Sequence, residues 1–524
     1  MKRFPKKGTA LFIAAAATSA ATLVAPAWAQ SDADTGMVET APTFRDKFMS
    51  QVVNGSEVHG RVGIYDFRRW HDTNQPYPGQ PETDDDFNTQ GTNYGAQIGL
   101  QTGRIYGFSA GAEFVYEDSF YGNNDAGTKL NCNLACDGPV ENLTQGYLQF
   151  NGYGLQLRGG RQLLNTPLAG ADQFTFLPRS FNGVSAVFRP LRMMGRMSAS
   201  DPSASADSDR SGPQITQARV GDAQSYETDQ YLPFDMTASM SEMPEWQLFA
   251  AKIDRYEGRG NADGFVRNNR YFNDVAGFWS VGTTFRDVAP SGQYIAQYYH
   301  YTFQQTQNSE YGEVGYMAPT FDADADYGGW APYARAQWVH SYDVDDSRVE
   351  EGIDSDVFGL KLGVNTQELG FSVFGNFSPI HSGSFNDGQF LHPYTDLSGV
   401  LYTDTMNNGI QEIGPGWAAG ARFDFTPTDN LSMYARYVKY QAKHGHYHDF
   451  YFNAGADGVI SDADFTGEEV DDQNSDAIGI GLTYDLGGLW SQLAGLKIND
   501  NLGITRFDGA PNFYNNRVRF YYSF

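Results

Sequence analysis

The chemistry most open to reading in this sequence is carried by seven arginines: Arg61, Arg158, Arg335, Arg422, Arg436, Arg517 and Arg519. Each lies in a segment that alternates by twos, and the period assigns all seven to the more polar face. A guanidinium stays charged and presents a planar fork of donors that matches a carboxylate. Several such forks along one wall let an anion step between sites without being held at any. The same face carries the acids Glu113 and Asp424, so a second use is open: arginines that pair with acids and hold folded loops in place.

Other constellations are weaker. His444, His446 and His448 alternate, so on an extended chain all three point one way, as metal ligands can; rim histidines without a metal are the plainer reading. Asp462-Ala463-Asp464-Phe465-Thr466-Gly467 begins like a calcium loop, but Gln473 stands where the bidentate glutamate belongs. Cys132 and Cys136 sit four apart in a polar loop, too few ligands for zinc, and read as a small disulfide. The pairs His340-Ser341 and His381-Ser382 lack an oriented third member, so no catalytic residue is assigned. No metal site and no cofactor is expected.

The elements that must position these residues are strands. Val518, Phe520, Tyr522 and Phe524 alternate with Arg517, Arg519, Tyr521 and Ser523. Leu431, Met433, Ala435 and Tyr437 alternate with Ser432, Tyr434 and Arg436. Nineteen segments read as strands, from 57–70 to 515–524, and they include 182–189, 192–199, 231–240, 245–255, 292–303 and 331–343. A bacterial barrel with both ends in the periplasm needs an even number, so one assignment between 231 and 343 is in error or a strand near 311–320 is missing. Short turns (103–106, 151–153, 189–191, 288–291, 366–368, 427–429) alternate with long polar loops (71–90, 118–142, 200–230, 379–415, 443–474). That segregation is the plan of an outer-membrane barrel, and a β-sandwich has no reason for it. The expected fold is therefore all-β, a transmembrane antiparallel β-barrel spanning 57–524.

Composition agrees with an exported protein. Lys2, Arg3, Lys6 and Lys7 precede a small-residue apolar stretch, Ala10 to Val24, and Ala27-Trp28-Ala29 fits signal-peptide cleavage after Ala29. Residues 30–56 would form a short periplasmic segment, too short for the plug of an energy-coupled transporter. The full chain has formal charge −27, which excludes nucleic acid as a partner. Mean hydropathy is −0.48, yet this does not argue for solubility, because only alternate residues of a barrel strand touch lipid.

The run Leu157-Arg158-Gly159-Gly160-Arg161-Gln162-Leu163-Leu164-Asn165-Thr166-Pro167-Leu168, with Leu177-Pro178 and Phe181 after it, resembles the outer-membrane porin D (OprD) family. The first strand, Arg61 to Arg69, and the ending from Trp417 through Asn516-Arg517-Val518-Arg519 are similar to it as well. The resemblance implies an 18-stranded barrel and a third extracellular loop, about 163–181, folded inward as a constriction. It also implies small carboxylate-bearing solutes guided by a ladder of lumen arginines. That loop mixes Asn165, Thr166, Asp172, Gln173 and Arg179 with Phe174, Phe176 and Leu177, and Pro167 and Pro178 stiffen it. The expectation is a porin, an ion-transport channel of a Gram-negative outer membrane for passive diffusion of small solutes. Its other partners would be lipid and lipopolysaccharide, and a homo-oligomer is left open. An outer-membrane enzyme of lipase or protease type, or an adhesin, is the alternative.

Overall fold

The computed structural model describes residues 45, 48–71, 89–120, 129–130, 139–170, 176–191, 193, 244–257, 267, 269–321, 329–394, 400–406, 409–410, 414–443, 472–508 and 512–524. Eighteen antiparallel strands close into one barrel. In chain order they are Glu57–His71, Thr89–Gln101, Phe108–Ser119, Val140–Gly152, Leu155–Gln162, Ser180–Phe188, Glu245–Glu257, Phe278–Ala289, Gly292–Phe303, Gln307–Met317, Ala331–Tyr342, Asp354–Asn365, Leu369–Ser378, Gly416–Thr428, Leu431–Ala442, Gln473–Asp485, Leu496–Phe507 and Phe513–Ser523. Each pairs with its neighbour in sequence. The first and last close the ring in the register Arg61↔Ser523 to His71↔Phe513. Closure matters physically, because a sheet edge in lipid would leave backbone N–H and C=O groups without partners.

The period-2 pattern sorts side chains as expected. Val58, Ile64, Leu148, Leu360, Ile480 and Phe520 are exposed on the outside, while Asn93, Gln97, Gln149, Asn499 and Asn501 are buried inside. Aromatic rings gather at both ends of this apolar belt. Trp70 stacks on Tyr514 at 5.2 Å and 5°, towards one rim. Tyr294 lies 5.1 Å from Tyr316 and Phe321 5.0 Å from Trp330, towards the other. Aromatic girdles around an apolar band are the surface of a transmembrane barrel.

One strand is added to the sequence reading. Gln307–Met317 is the strand missing from the sequence reading. Its outward upper positions are Asn308, Glu310 and Gly312, and its inward ones are Gln307, Ser309 and Glu313, so no apolar alternation marks it. In the ring Ser180–Phe188 pairs directly with Glu245–Glu257. Met193 donates its N–H to the Arg189 carbonyl at 3.3 Å, one helical turn begun at Pro190. The connection 189–244 thus leaves and re-enters at the rim where the first strand starts and the last one ends. The rest of 192–199 and all of 231–240 lie outside the described residues.

The expected polar loop 379–415 is the other correction. Among its described residues Phe385, Phe390, Leu391, Tyr394, Val400, Leu401, Tyr402, Met406 and Ile410 are buried. It folds into the barrel and packs beside the expected constriction loop. Leu164, Leu168 and Ala169 of that loop share one apolar cluster with Phe390, Tyr394, Val400 and Leu401, and with the barrel residues Ile253, Phe278, Tyr301 and Phe303. Ala169 also bridges Tyr394 through the backbone.

Candidate functional site: the narrowed lumen

All seven arginines assigned to the lumen face inward and are at least nine-tenths buried. They do not share one environment. Arg335 faces Glu313 on the adjacent strand, with Nη2 and Nε at 2.7 and 2.8 Å from Oε1. The same carboxylate accepts from the Tyr402 hydroxyl at 2.6 Å, Gln297 Nε2 at 2.5 Å and the Tyr311 hydroxyl at 3.3 Å. Burial first, and then the Glu313 charge, push the Tyr402 hydroxyl far above its ordinary pKa, so it remains a donor. Arg422 forks onto Asp424, two residues along its own strand, at 2.7 and 2.9 Å. Arg436 donates to the Tyr402 carbonyl, and its guanidinium lies 4.7 Å from the Phe374 ring.

Loop 379–415 is held on this side by the barrel's amides. Gln337 Nε2 donates to the Val400 carbonyl at 2.8 Å and Gln337 Oε1 accepts from the Tyr402 N–H at 3.0 Å. Asn376 Oδ1 accepts from both the N–H and the hydroxyl of Thr403 at 3.0 Å. The Tyr440 hydroxyl donates to the Thr403 carbonyl at 2.5 Å. Such bonds answer the rule that buried backbone groups must be paired wherever a loop lies inside protein.

The first and last strands carry the other group. Arg517 lies 5.5 Å over Phe67, Arg519 5.3 Å over Tyr65, and Arg69, also inward, 4.9 Å over Phe67. Arg517 donates to Asn515 Oδ1 at 3.3 Å and Arg519 to Asn499 Oδ1 at 3.4 Å. Arg61 reaches across to the constriction loop, 5.3 Å from the Phe176 ring. Arg61, Ile64, Tyr65, Phe176, Arg519 and Tyr521 line a cavity at this seam. Arg158 lies further round, 4.0 Å over Tyr147, and donates to Gln149 Oε1 from Nε at 2.8 Å and Nη2 at 2.6 Å.

The constriction loop spans between these regions. Its start rests on the opposite wall, where the Leu168 N–H donates to the Tyr301 hydroxyl at 3.3 Å, and Thr166 Oγ1 closes a turn onto the Ala169 carbonyl at 2.8 Å. Asn165 is half-buried beside it. Its end is held by Glu117, whose Oε2 accepts from the Phe176 N–H at 3.2 Å. Gly95 makes this approach possible, since a Cβ there would sit 2.5 Å from the Phe176 ring. Arg179 is buried just beyond. Asp172, Gln173 and Phe174 lie outside the described residues, as do Cys132, Cys136, His444, His446, His448 and the Asp462–Gly467 run.

Lys361 and Arg69 are lumen cations that the alternation would have placed: Lys361 stands between exposed Leu360 and Leu362, and Arg69 has the same parity as Arg61. Glu313 was hidden with its strand. Tyr402 carries no sequence signal for its role, because nothing local distinguishes an inward loop tyrosine from an exposed one.

The fold and its narrowed lumen define a class, the transmembrane barrel with internal constriction loops. No family model and no curated protein matches the chain by sequence. Solved structures do match. A BenF-like porin from Pseudomonas fluorescens aligns with TM-score 0.61 and 11% identity, over 90% of this chain and 98% of that one. Pseudomonas aeruginosa OccK2 (OpdF) in complex with glucuronate aligns with TM-score 0.58 and 11% identity, over 89% and 97%. Pseudomonas aeruginosa OpdK with vanillate aligns with TM-score 0.57 and 13% identity, over 90% and 98%. These neighbours are porins of the outer-membrane porin D family rather than enzymes. The fold is that family's fold, the same one that the Leu157–Leu168 motif resembles.

Proposed function

We propose that this protein is an outer-membrane porin for passive diffusion of small solutes, and that solutes bearing a carboxylate are favoured. The observation that carries the reading is the seam of Arg61, Arg517 and Arg519 on the wall that the constriction loop approaches. Charges in a narrow, low-dielectric-walled channel are screened less than loop charges in solvent, which fade within about 8 Å at physiological salt. An acidic outer surface and an anion-guiding lumen are therefore compatible. The glucuronate and vanillate held by two of the similar porins, both carboxylates, support the substrate class.

The test is planar-bilayer conductance of the purified chain, with ion selectivity and a panel of carboxylates as blockers. The reading expects carboxylates to interrupt the current and neutral solutes of similar size not to. Proteoliposome uptake should follow the gradient and stop at equilibrium. Accumulation against a gradient would remove the passive reading. Residues 1–29 would be absent from the exported chain, which N-terminal sequencing checks.

A further inference from the structure

On the outside of the barrel, at the rim away from the chain ends, four residues meet that the channel reading does not use. His340 stands on Ala331–Tyr342 directly opposite Asp356 of Asp354–Asn365. Asp354 and Asp356 are two apart on one strand and share its outer face. His381 arrives from the root of loop 379–415. The His340 Nδ1 lies 3.2 Å from Asp356 Oδ1, the His381 Nδ1 3.1 Å from Asp354 Oδ2, and the His381 Nε2 3.4 Å from Asp356 Oδ2. One ligand atom each from His340, Asp354 and Asp356 lie within 4.8 Å of one another.

The geometry points to a binding site for a zinc-class divalent cation, formed by His340, Asp354 and Asp356, with His381 beside it between the two carboxylates. Charge-assisted N–H···O bonds run at about 2.7–2.9 Å, shorter than these separations. His340 Nδ1 and His381 Nε2 make no hydrogen bond although both atoms are enclosed. Ligands about 2.0–2.1 Å from a tetrahedral zinc lie about 3.3–3.4 Å apart, and the His340 Nδ1–Asp356 Oδ1 separation of 3.2 Å is close to that. The imidazole selects this class over calcium or magnesium, which take oxygen ligands.

The supporting shell is also built. Trp338 Nε1 donates to Asp356 Oδ1 at 3.0 Å, as outer partners of ligating carboxylates do. The His340 ring is stacked between Trp338 at 5.9 Å and Tyr342 at 5.3 Å. His381 is fixed by its N–H donating to the Asp387 carbonyl at 2.7 Å and by the Ser384 hydroxyl donating to its own carbonyl at 2.7 Å. A bound ion would sit beside the root of loop 379–415 at the barrel rim, and the inner part of that loop fills one side of the lumen.

The experiment uses the purified full chain in detergent, stripped with a chelator and titrated calorimetrically with zinc chloride. Bound metal is counted after desalting, and barrel assembly is checked by heat-modifiable gel mobility. Wild type should bind zinc and unfold at a higher temperature with it. His340→Ala should lose one equivalent, and Trp338→Phe should weaken that site about tenfold. Asp356→Asn should weaken it at least as much, and it carries the test if His340→Ala does not assemble. Millimolar calcium should not displace the zinc. No binding by wild type overturns the proposal. Binding with unchanged stoichiometry and affinity in the assembled variants overturns it too, by assigning the zinc to other histidines.

Discussion

The two sides of the lumen are built from the same residue types and use them differently. From Gln307 to Ala442 the barrel wall spends its charges on itself and on a loop: Arg335 on Glu313, Arg422 on Asp424, Arg436 on the Tyr402 carbonyl. Across the first and last strands, Arg517 and Arg519 rest on aromatic rings and donate to asparagines. An arginine whose fork is taken by a carboxylate or carbonyl has little left to offer a passing solute. One stacked on a ring keeps its charge. An inward arginine is therefore not by itself a guiding residue. Its partner decides what it can offer a solute.

The largest expected effect follows from breaking the holding wall at its centre. Glu313→Ala leaves Arg335 buried without its carboxylate and the Tyr402 hydroxyl without its acceptor, which costs about 3–5 kcal/mol by the usual penalty for one lost partner of a buried pair. Thermal unfolding should shift down, and single-channel current should rise and become noisy as loop 379–415 loosens. A quiet channel of unchanged stability would show that the pair does not anchor the loop.

Next comes the seam. Arg517→Ala with Arg519→Ala should lower carboxylate flux several-fold relative to a neutral solute of similar size, with little change in unfolding temperature. Equal flux changes for both solutes would erase the distinction between the walls. Gly95→Leu comes third. Its side chain must displace Phe176, so conductance should change while the carboxylate-to-neutral ratio holds, measured in the same bilayers. The smallest effect belongs to Arg422→Ala. Asp424 is partly exposed, and such a pair contributes about 0–1 kcal/mol. Neither stability nor selectivity should move appreciably, and a loss of carboxylate flux as large as the seam variant's would restore Arg422 as a guide.

Much of this molecule is written in local pattern. Period 2 across Val518 to Phe524 told which residues meet lipid and which point inward, because a strand has only two faces and a barrel gives each a different solvent. The same rule oriented all seven arginines. It failed at Gln307–Met317, where the upper outward positions Asn308, Glu310 and Gly312 are as polar as the inward Gln307, Ser309 and Glu313, so the alternation is lost there. It could not show that Glu313 on that strand meets Arg335, nor that Tyr402, some ninety residues away in sequence, closes over both. Nor could it bring His340 and His381 to one patch. Faces are set by neighbours in the chain, whereas partners are set by which strands adjoin and where a long loop comes to rest. For buried charges the partner determines what the charge can do, and only the closed barrel supplied it.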